Sequence, residues 1–117
     1  MRSLLALTVF MILGNAPAAA NDDEQLIEAL LSSVGTSECT FIRNGKEYDA
    51  DEAEDHLRMK YRRGKKYVSG VDTFIKRIAT KSSMSGKPYM IRCNDTEAVP
   101  TAEWLAKQLE AIQARVD

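Results

Sequence analysis

Cysteine is scarce in this 117-residue chain: only Cys39 and Cys93 occur, and no Cys-x-x-Cys brings two together. That spacing excludes a zinc knuckle and a thioredoxin-like redox pair. Histidine is scarcer still, with His56 alone, which argues further against a structural zinc site, so neither metal nor cofactor is expected. No Gly-x-Ser-x-Gly elbow marks a serine hydrolase. There is no second long apolar run after the first, no internal repeat and no low-complexity tract. The basic residues are not interleaved with aromatics beyond Tyr61 and Tyr67, too few for a nucleic-acid platform.

The first apolar run has the build of an export signal. Arg2 supplies a positive start, Leu4 to Leu13 an apolar core, and Ala18-Ala19-Ala20 a small-residue cleavage site. Acidic, polar Asn21-Asp22-Asp23-Glu24 follows at once. A spanning helix needs about 20 apolar residues, and Gly14 to Pro17 interrupts this run well short of that. No cysteine follows to carry a lipid. Residues 1–20 are therefore expected to be a cleaved secretory signal. Residues 21–117, 97 in all, are expected to form one periplasmic domain with no transmembrane segment.

In an oxidising compartment an even pair of cysteines in a small domain reads as a disulfide. A Cys39–Cys93 bridge would close a loop of 55 residues. Such a loop is worth about 4 kcal/mol in the chain-entropy model.

Periodicity gives the order helix, hairpin, helix, helix, strand, helix. Leu26, Ile27, Leu30, Leu31 and Val34 keep a helical rhythm up to Gly35. Asn44-Gly45 between TFIR and KEY is a type I′ hairpin signal, because both turn positions need positive φ. Asp49 with Glu52 forms a near capping box for a helix running to about Arg63. A further helix is expected from Ser69 to the Ser82-Ser83 turn, a strand from Pro88 to Cys93, and a last helix from Pro100-Thr101. The fold expected is a small α+β domain, about three short antiparallel strands packed with about four helices. Cys39 opens the first strand and Cys93 closes the last, so antiparallel pairing would bring them together.

Charge is segregated. Residues 21–117 carry 15 basic and 17 acidic side chains, a formal charge of −2. Within this, residues 56–92 hold 11 basic residues against Asp72 alone, and residues 21–55 hold 2 against 11. Two readings follow. The basic stretch could meet an anionic envelope component or an acidic protein, or the two halves could neutralise one another in the fold.

The stretch SSMSGKPYMIRC, residues 82–93, resembles a phosphate loop only in its Gly86-Lys87 pair. A P-loop needs a glycine five residues earlier, a Ser or Thr after the lysine, and a strand before it. Pro88 stands after Lys87 and a helix precedes. The loop instead reads as a helix stop and strand entry, with Ser83, Ser85 and Lys87 as a possible anion nest. His56 lies one helical turn from Glu52 and could pair with it. The alternative function is a small envelope hydrolase or transferase using His56 with a serine of the 82–85 loop.

The runs Phe41 to Gly45, Glu52-Ala53, His56-Leu57-Arg58 with Lys60, Phe74-Ile75, Ile78-Ala79, Ser82-Ser83 and Ser85 to Tyr89 together resemble the YfeK-like family. These are small exported bacterial proteins grouped under a domain of unknown function. The resemblance spans roughly residues 25 to 110. It implies export, one compact domain and no assigned activity. It draws attention to Arg43, Asn44, Gly45, His56, Arg58, Lys60, Ser83, Gly86, Lys87 and Tyr89. Of these, Arg58, Lys60 and Lys87 are hardest to explain by packing. A non-catalytic binding or accessory role follows, with Arg58, Lys60, Lys87, Ser83, Ser85 and His56 as the contact candidates.

Overall fold

The computed structural model describes residues 19–116, and the signal-peptide reading of residues 1–20 lies outside them except for Ala19 and Ala20, which open the first helix. Helix α1 spans Ala19–Gly35, strand β1 Thr40–Arg43, strand β2 Lys46–Tyr48 and helix α2 Ala50–Gly64. After a 3-10 turn at Lys65–Tyr67 come α3 Val71–Arg77, β3 Met90–Arg92, β4 Val99–Pro100 and α4 Thr101–Val116. Among the described residues no helix is long and apolar enough to cross a membrane.

The α+β class holds, with four strands in place of three. They form one antiparallel sheet in the order β2-β1-β3-β4. The additional strand, β4, is only two residues long and includes Pro100, so it lacks any alternating pattern to read. Pro100 is tolerated because β4 lies at the sheet edge. The α3 helix is shorter than its apolar spacing predicts. It ends at Arg77 with Ile78 as its cap, still bonded to the Phe74 carbonyl, and Ala79 and Thr80 turn away to deliver Lys81 to a bridge with Pro88. Ile78 is buried at the end of the helix face and Ala79 in the turn beyond it.

Local chemistry accounts for the other elements. Asp49 and Glu52 complete a reciprocal capping box at the start of α2. Asn44 and Gly45 both take positive φ, 54° and 77°, as the hairpin turn requires. Asp23 of α1 reaches across to accept from the Val71 N–H at the start of α3. Ile27, Leu30, Leu31 and Val34 of α1 are buried among α2, α3 and α4, together with Leu57, Phe74 and Leu105.

Side chains alternate across a strand, so one sheet face turns to the helices. Phe41 pairs with Tyr48 on one side and with Ile91 on the other, and Ile91 pairs with Val99. Phe41 and Ile91 are buried, which marks this row as part of the core face. Two residues further along, Arg43 ends β1, Tyr89 lies just before β3 and Thr101 just after β4. The Thr101 N–H donates to the Tyr89 carbonyl at 2.9 Å and ties these last two together.

Cys39 and Cys93 flank the β1–β3 pair, where Thr40 faces Arg92. They form the expected disulfide, across a sequence separation of 54.

Candidate functional site

Two concavities bear on Tyr89, one lined by the tyrosine itself and one by Lys60, which bonds to its hydroxyl. The first is a cavity of about 300 Å3 between the sheet and α2, lined chiefly by Phe41, Ile42, Ala53 and Leu57, with Arg43, Tyr48 and His56 among its polar walls. Glu52, Asp55, Tyr89 and Thr101 complete it. The second is a groove of about 330 Å3 lined by Lys60, Arg63, Gly64, Tyr67, Arg77, Ile78 and Ser83. It contains three cations and no carboxylate.

Tyr89 connects the two. Its ring is buried, and its hydroxyl lies 2.8 Å from Lys60 Nζ and 3.1 Å from His56 Nε2. The Lys60 ammonium can only donate, so the tyrosine oxygen accepts there. The tyrosine proton is then free to be donated to Nε2, which makes His56 the neutral imidazole with its proton on Nδ1. Burial, and after it the charges of Arg43 and Lys60, push the His56 pKa below its ordinary value, which favours the same neutral form. Burial also lowers the Lys60 pKa, with Arg43 adding to the effect. For Tyr89 burial raises the pKa, partly opposed by Arg43.

The helical spacing of α2 explains this arrangement. His56 and Lys60 stand one turn apart and both meet Tyr89, while Arg58 points elsewhere. Arg58 Nη2 lies 2.6 Å from Glu28 on α1 and its Nε 2.8 Å from Glu54 on its own helix. It is a clasp between α1 and α2, with its charge spent on two carboxylates. The hydrogen bond from Arg58 also holds the Glu28 pKa below the usual carboxylate range.

The 82–87 loop is closed on itself. The Ser82 hydroxyl accepts from the N–H groups of Met84 and Ser85 and from Asn44 Nδ2. Ser85 Oγ accepts from the Lys87 N–H and donates to Asn44 Oδ1. Gly86 takes φ +75° and donates to the Ser82 carbonyl. Three amides that a nest would offer to an anion are thus occupied by serine oxygens. Ser83 faces the basic groove, and Lys87 is exposed without lining it.

Of the six residues singled out from sequence, the fold gathers His56 and Lys60 at Tyr89 and sets Ser83 in the groove beside Lys60. Arg58, Ser85 and Lys87 are not brought to that cluster. Neither does a serine hydroxyl bond to His56 among the described residues: Nε2 meets Tyr89, while Ser82 and Ser85 bond to Asn44. The groove also contains Arg63, Arg77 and Tyr67, and the cavity contains Thr101. Arg63 belongs to the basic run, but Arg77 reaches the groove from another helix, a meeting no local pattern reports. Among the described residues no cluster of three His, Cys, Asp or Glu side chains is placed to hold a metal.

A family model described as a family of unknown function (DUF5329) matches residues 21–113. The chain belongs to this family. It is similar to uncharacterized protein YfeK of Salmonella typhimurium, at 33% identity over 93 residues, which cover 76% of this chain and 77% of the relative. The motif-level resemblance to YfeK-like proteins is therefore borne out, with the family match running over residues 21–113. No solved structure matches.

Proposed function

We propose that this chain is a non-catalytic binding or accessory domain, exported to the bacterial periplasm, whose basic groove takes an anionic group of the cell envelope. The observation that carries the reading is the meeting of Lys60, Arg63 and Arg77 in one groove with no carboxylate on its walls. Three other cations of the basic half are neutralised within the fold: Arg58 by Glu28 and Glu54, Lys65 by Glu24, and Arg92 by Glu47. Among the described residues Lys60, Arg63 and Arg77 form no ion pair. The charge segregation is therefore only partly cancelled internally, and three of the uncancelled cations converge at this groove.

Its chemistry suits a phosphate. Lys60 donates to the Lys81 carbonyl and to Tyr89, which leaves one of its three N–H groups for a ligand. Arg63 and Arg77 offer planar, bidentate donors from two different helices. Ser83 adds a hydroxyl, and Tyr67, 62% exposed, adds an aromatic face at the rim. A phosphate carried by an envelope lipid or polymer fits this set of donors. The groove holds no oriented nucleophile, so recognition is the role it supports.

Co-sedimentation with vesicles of phosphatidylglycerol in phosphatidylcholine tests the reading. Binding is expected at low salt, falling as salt rises, and weakened in the Arg63→Gln/Arg77→Gln double variant. Binding of equal strength to pure phosphatidylcholine, or binding indifferent to salt, refutes it. Failure on vesicles with salt-sensitive capture of polyglutamate instead assigns the groove to an acidic protein.

A further inference from the structure

The cavity that Tyr89 lines also meets a polar residue with an unpaired hydroxyl. Thr101 is 1% exposed, and among the described residues its Oγ1 has no hydrogen-bond partner. Buried polar groups in folded proteins are almost always paired, and each exception asks for an explanation. Thr101 opens α4, and its own N–H is already committed to the Tyr89 carbonyl. The hydroxyl is the group left over, and Thr101 is one of the residues that line the cavity.

We infer that this cavity is a second binding site, for a small and mostly apolar carboxylic acid that carries a further acceptor oxygen for the Thr101 hydroxyl. The apolar body is set by Phe41, Ile42, Ala53 and Leu57. Size follows from the volume of about 300 Å3. At about 30 Å3 for a water-sized atom it admits on the order of ten non-hydrogen atoms.

The acid group is set by Arg43. Its guanidinium lies 4.9 Å from the centre of the Tyr48 ring and donates from Nη2 to the Tyr48 hydroxyl, an arrangement that fixes its direction and leaves most of its five N–H groups unspent. Among the described residues it pairs with no carboxylate. Both carboxylates on the cavity wall are otherwise placed: Glu52 accepts from the Asp49 N–H in the capping box, and Asp55 is exposed to solvent. At the Tyr89 end Lys60 Nζ lies 2.8 Å from the tyrosine hydroxyl, so a second positive charge stands beside the cavity there. An anionic head is therefore favoured at that end, with the neutral His56 beside it. Arg43 and Thr101 both line the cavity, so Arg43 reads the head and Thr101 the second oxygen. The inference is independent of the basic groove, which neither Arg43 nor Thr101 lines.

The test is a titration of the full domain with octanoate and with 7-oxooctanoate, followed by amide NMR shifts and by the fluorescence of Trp104, which packs edge-on against Phe41. Saturable shifts at Phe41, Leu57 and Thr101 are expected with both acids, the oxo acid binding several-fold tighter. Arg43→Gln should weaken both acids about tenfold, the size of a lost charge-assisted contact. Thr101→Val should melt no lower than the parent and should abolish the advantage of the oxo acid while leaving octanoate bound. No saturable shift with either acid at millimolar concentration overturns the site. Undiminished binding to Arg43→Gln overturns the acid head. An oxo acid that has no advantage in the parent, or keeps one in Thr101→Val, overturns the role of the hydroxyl and leaves Thr101 to a buried water.

Discussion

Lys60 Nζ stands 2.8 Å from the Tyr89 hydroxyl and 4.7 Å from the centre of its ring, so one tyrosine holds the lysine by its oxygen and by its face. His56 meets the same oxygen from the cavity side. Tyr89→Phe keeps the ring and removes the only atom that the two basic side chains share. Lys60 keeps the Lys81 carbonyl, but His56 Nε2 is left without its donor. The expected loss is about 1–3 kcal/mol, the cost of leaving a buried polar group unpaired. Urea unfolding at neutral pH checks it, and a change within error would mean that water replaces the hydroxyl at no cost.

The neutral His56 makes stability depend on pH in one direction. Its folded pKa lies below the unfolded value of about 6.5. The unfolded chain then binds the proton more readily, and stability rises with pH through that window. The contribution is complete above about pH 6.5 and is lost as pH falls through the folded pKa. Glu28, also depressed, acts in the same sense at more acidic pH, where its bond to Arg58 is lost by protonation. Melting temperature should therefore drop between pH 7.5 and 5.5 in the parent. A flatter profile is expected for His56→Gln, and an unchanged slope in that variant assigns the drop to other groups.

The parts legible in the sequence are those with a local cause. The capping box at Asp49, the Asn44-Gly45 turn and the α1 stripe each depend on residues within a few positions, and each forms as read. The disulfide is the long-range exception: it spans a separation of 54, and it is legible because two cysteines allow only one pairing. What was not legible depends on residues far apart. The β4 strand exists because β3 offers it an edge, and two residues with a proline carry no signal of that. Arg58 and Lys60 look equivalent in a basic run. The helix turns one toward Glu28 and the other toward Tyr89, and only the partners across the fold distinguish a clasp from a site residue. In the sequence Thr101 is legible only as a helix opening, because its burial is decided by residues far from it in the chain.

Breaking the Cys39–Cys93 bond should cost about 4 kcal/mol, from the loop entropy returned to the unfolded chain. That is a large share of the 5–15 kcal/mol typical of small domains. A Cys39→Ser/Cys93→Ser variant should fold at low temperature and unfold at markedly lower urea. Equal midpoints for the reduced and oxidised protein would show that the bond constrains little.

Arg58→Ala separates stability from binding. The side chain joins α1 to α2 through Glu28 and Glu54, but it is partly exposed, so the pair is screened and the expected loss is about 1 kcal/mol. Its charge is already compensated, so vesicle binding through the groove should be unchanged once the variant is folded. A variant that folds as well as the parent but loses vesicle binding would return Arg58 to the contact surface and displace the groove as its centre.

Asn44 joins the hairpin turn to the loop that follows α3, and two of its properties can be separated by substitution. It occupies φ 54°, a conformation that asparagine tolerates and alanine does not, and its amide bonds to Ser82 and Ser85 across 38 and 41 residues of chain. Asn44→Gly keeps the turn and removes the amide; Asn44→Ala removes both. If the amide is what secures the 82–87 loop, Asn44→Gly should lose about 1 kcal/mol for its hydrogen bonds, with faster amide exchange at Met84, Ser85 and Lys87. Asn44→Ala should lose about 1 kcal/mol more for the strained turn. Because Ser83 sits in this loop and faces the basic groove, loosening it should also weaken vesicle binding in both variants, with no charge altered. Weaker binding with unaltered loop exchange would place the effect of Asn44 in the hairpin instead, and would detach the loop from the groove.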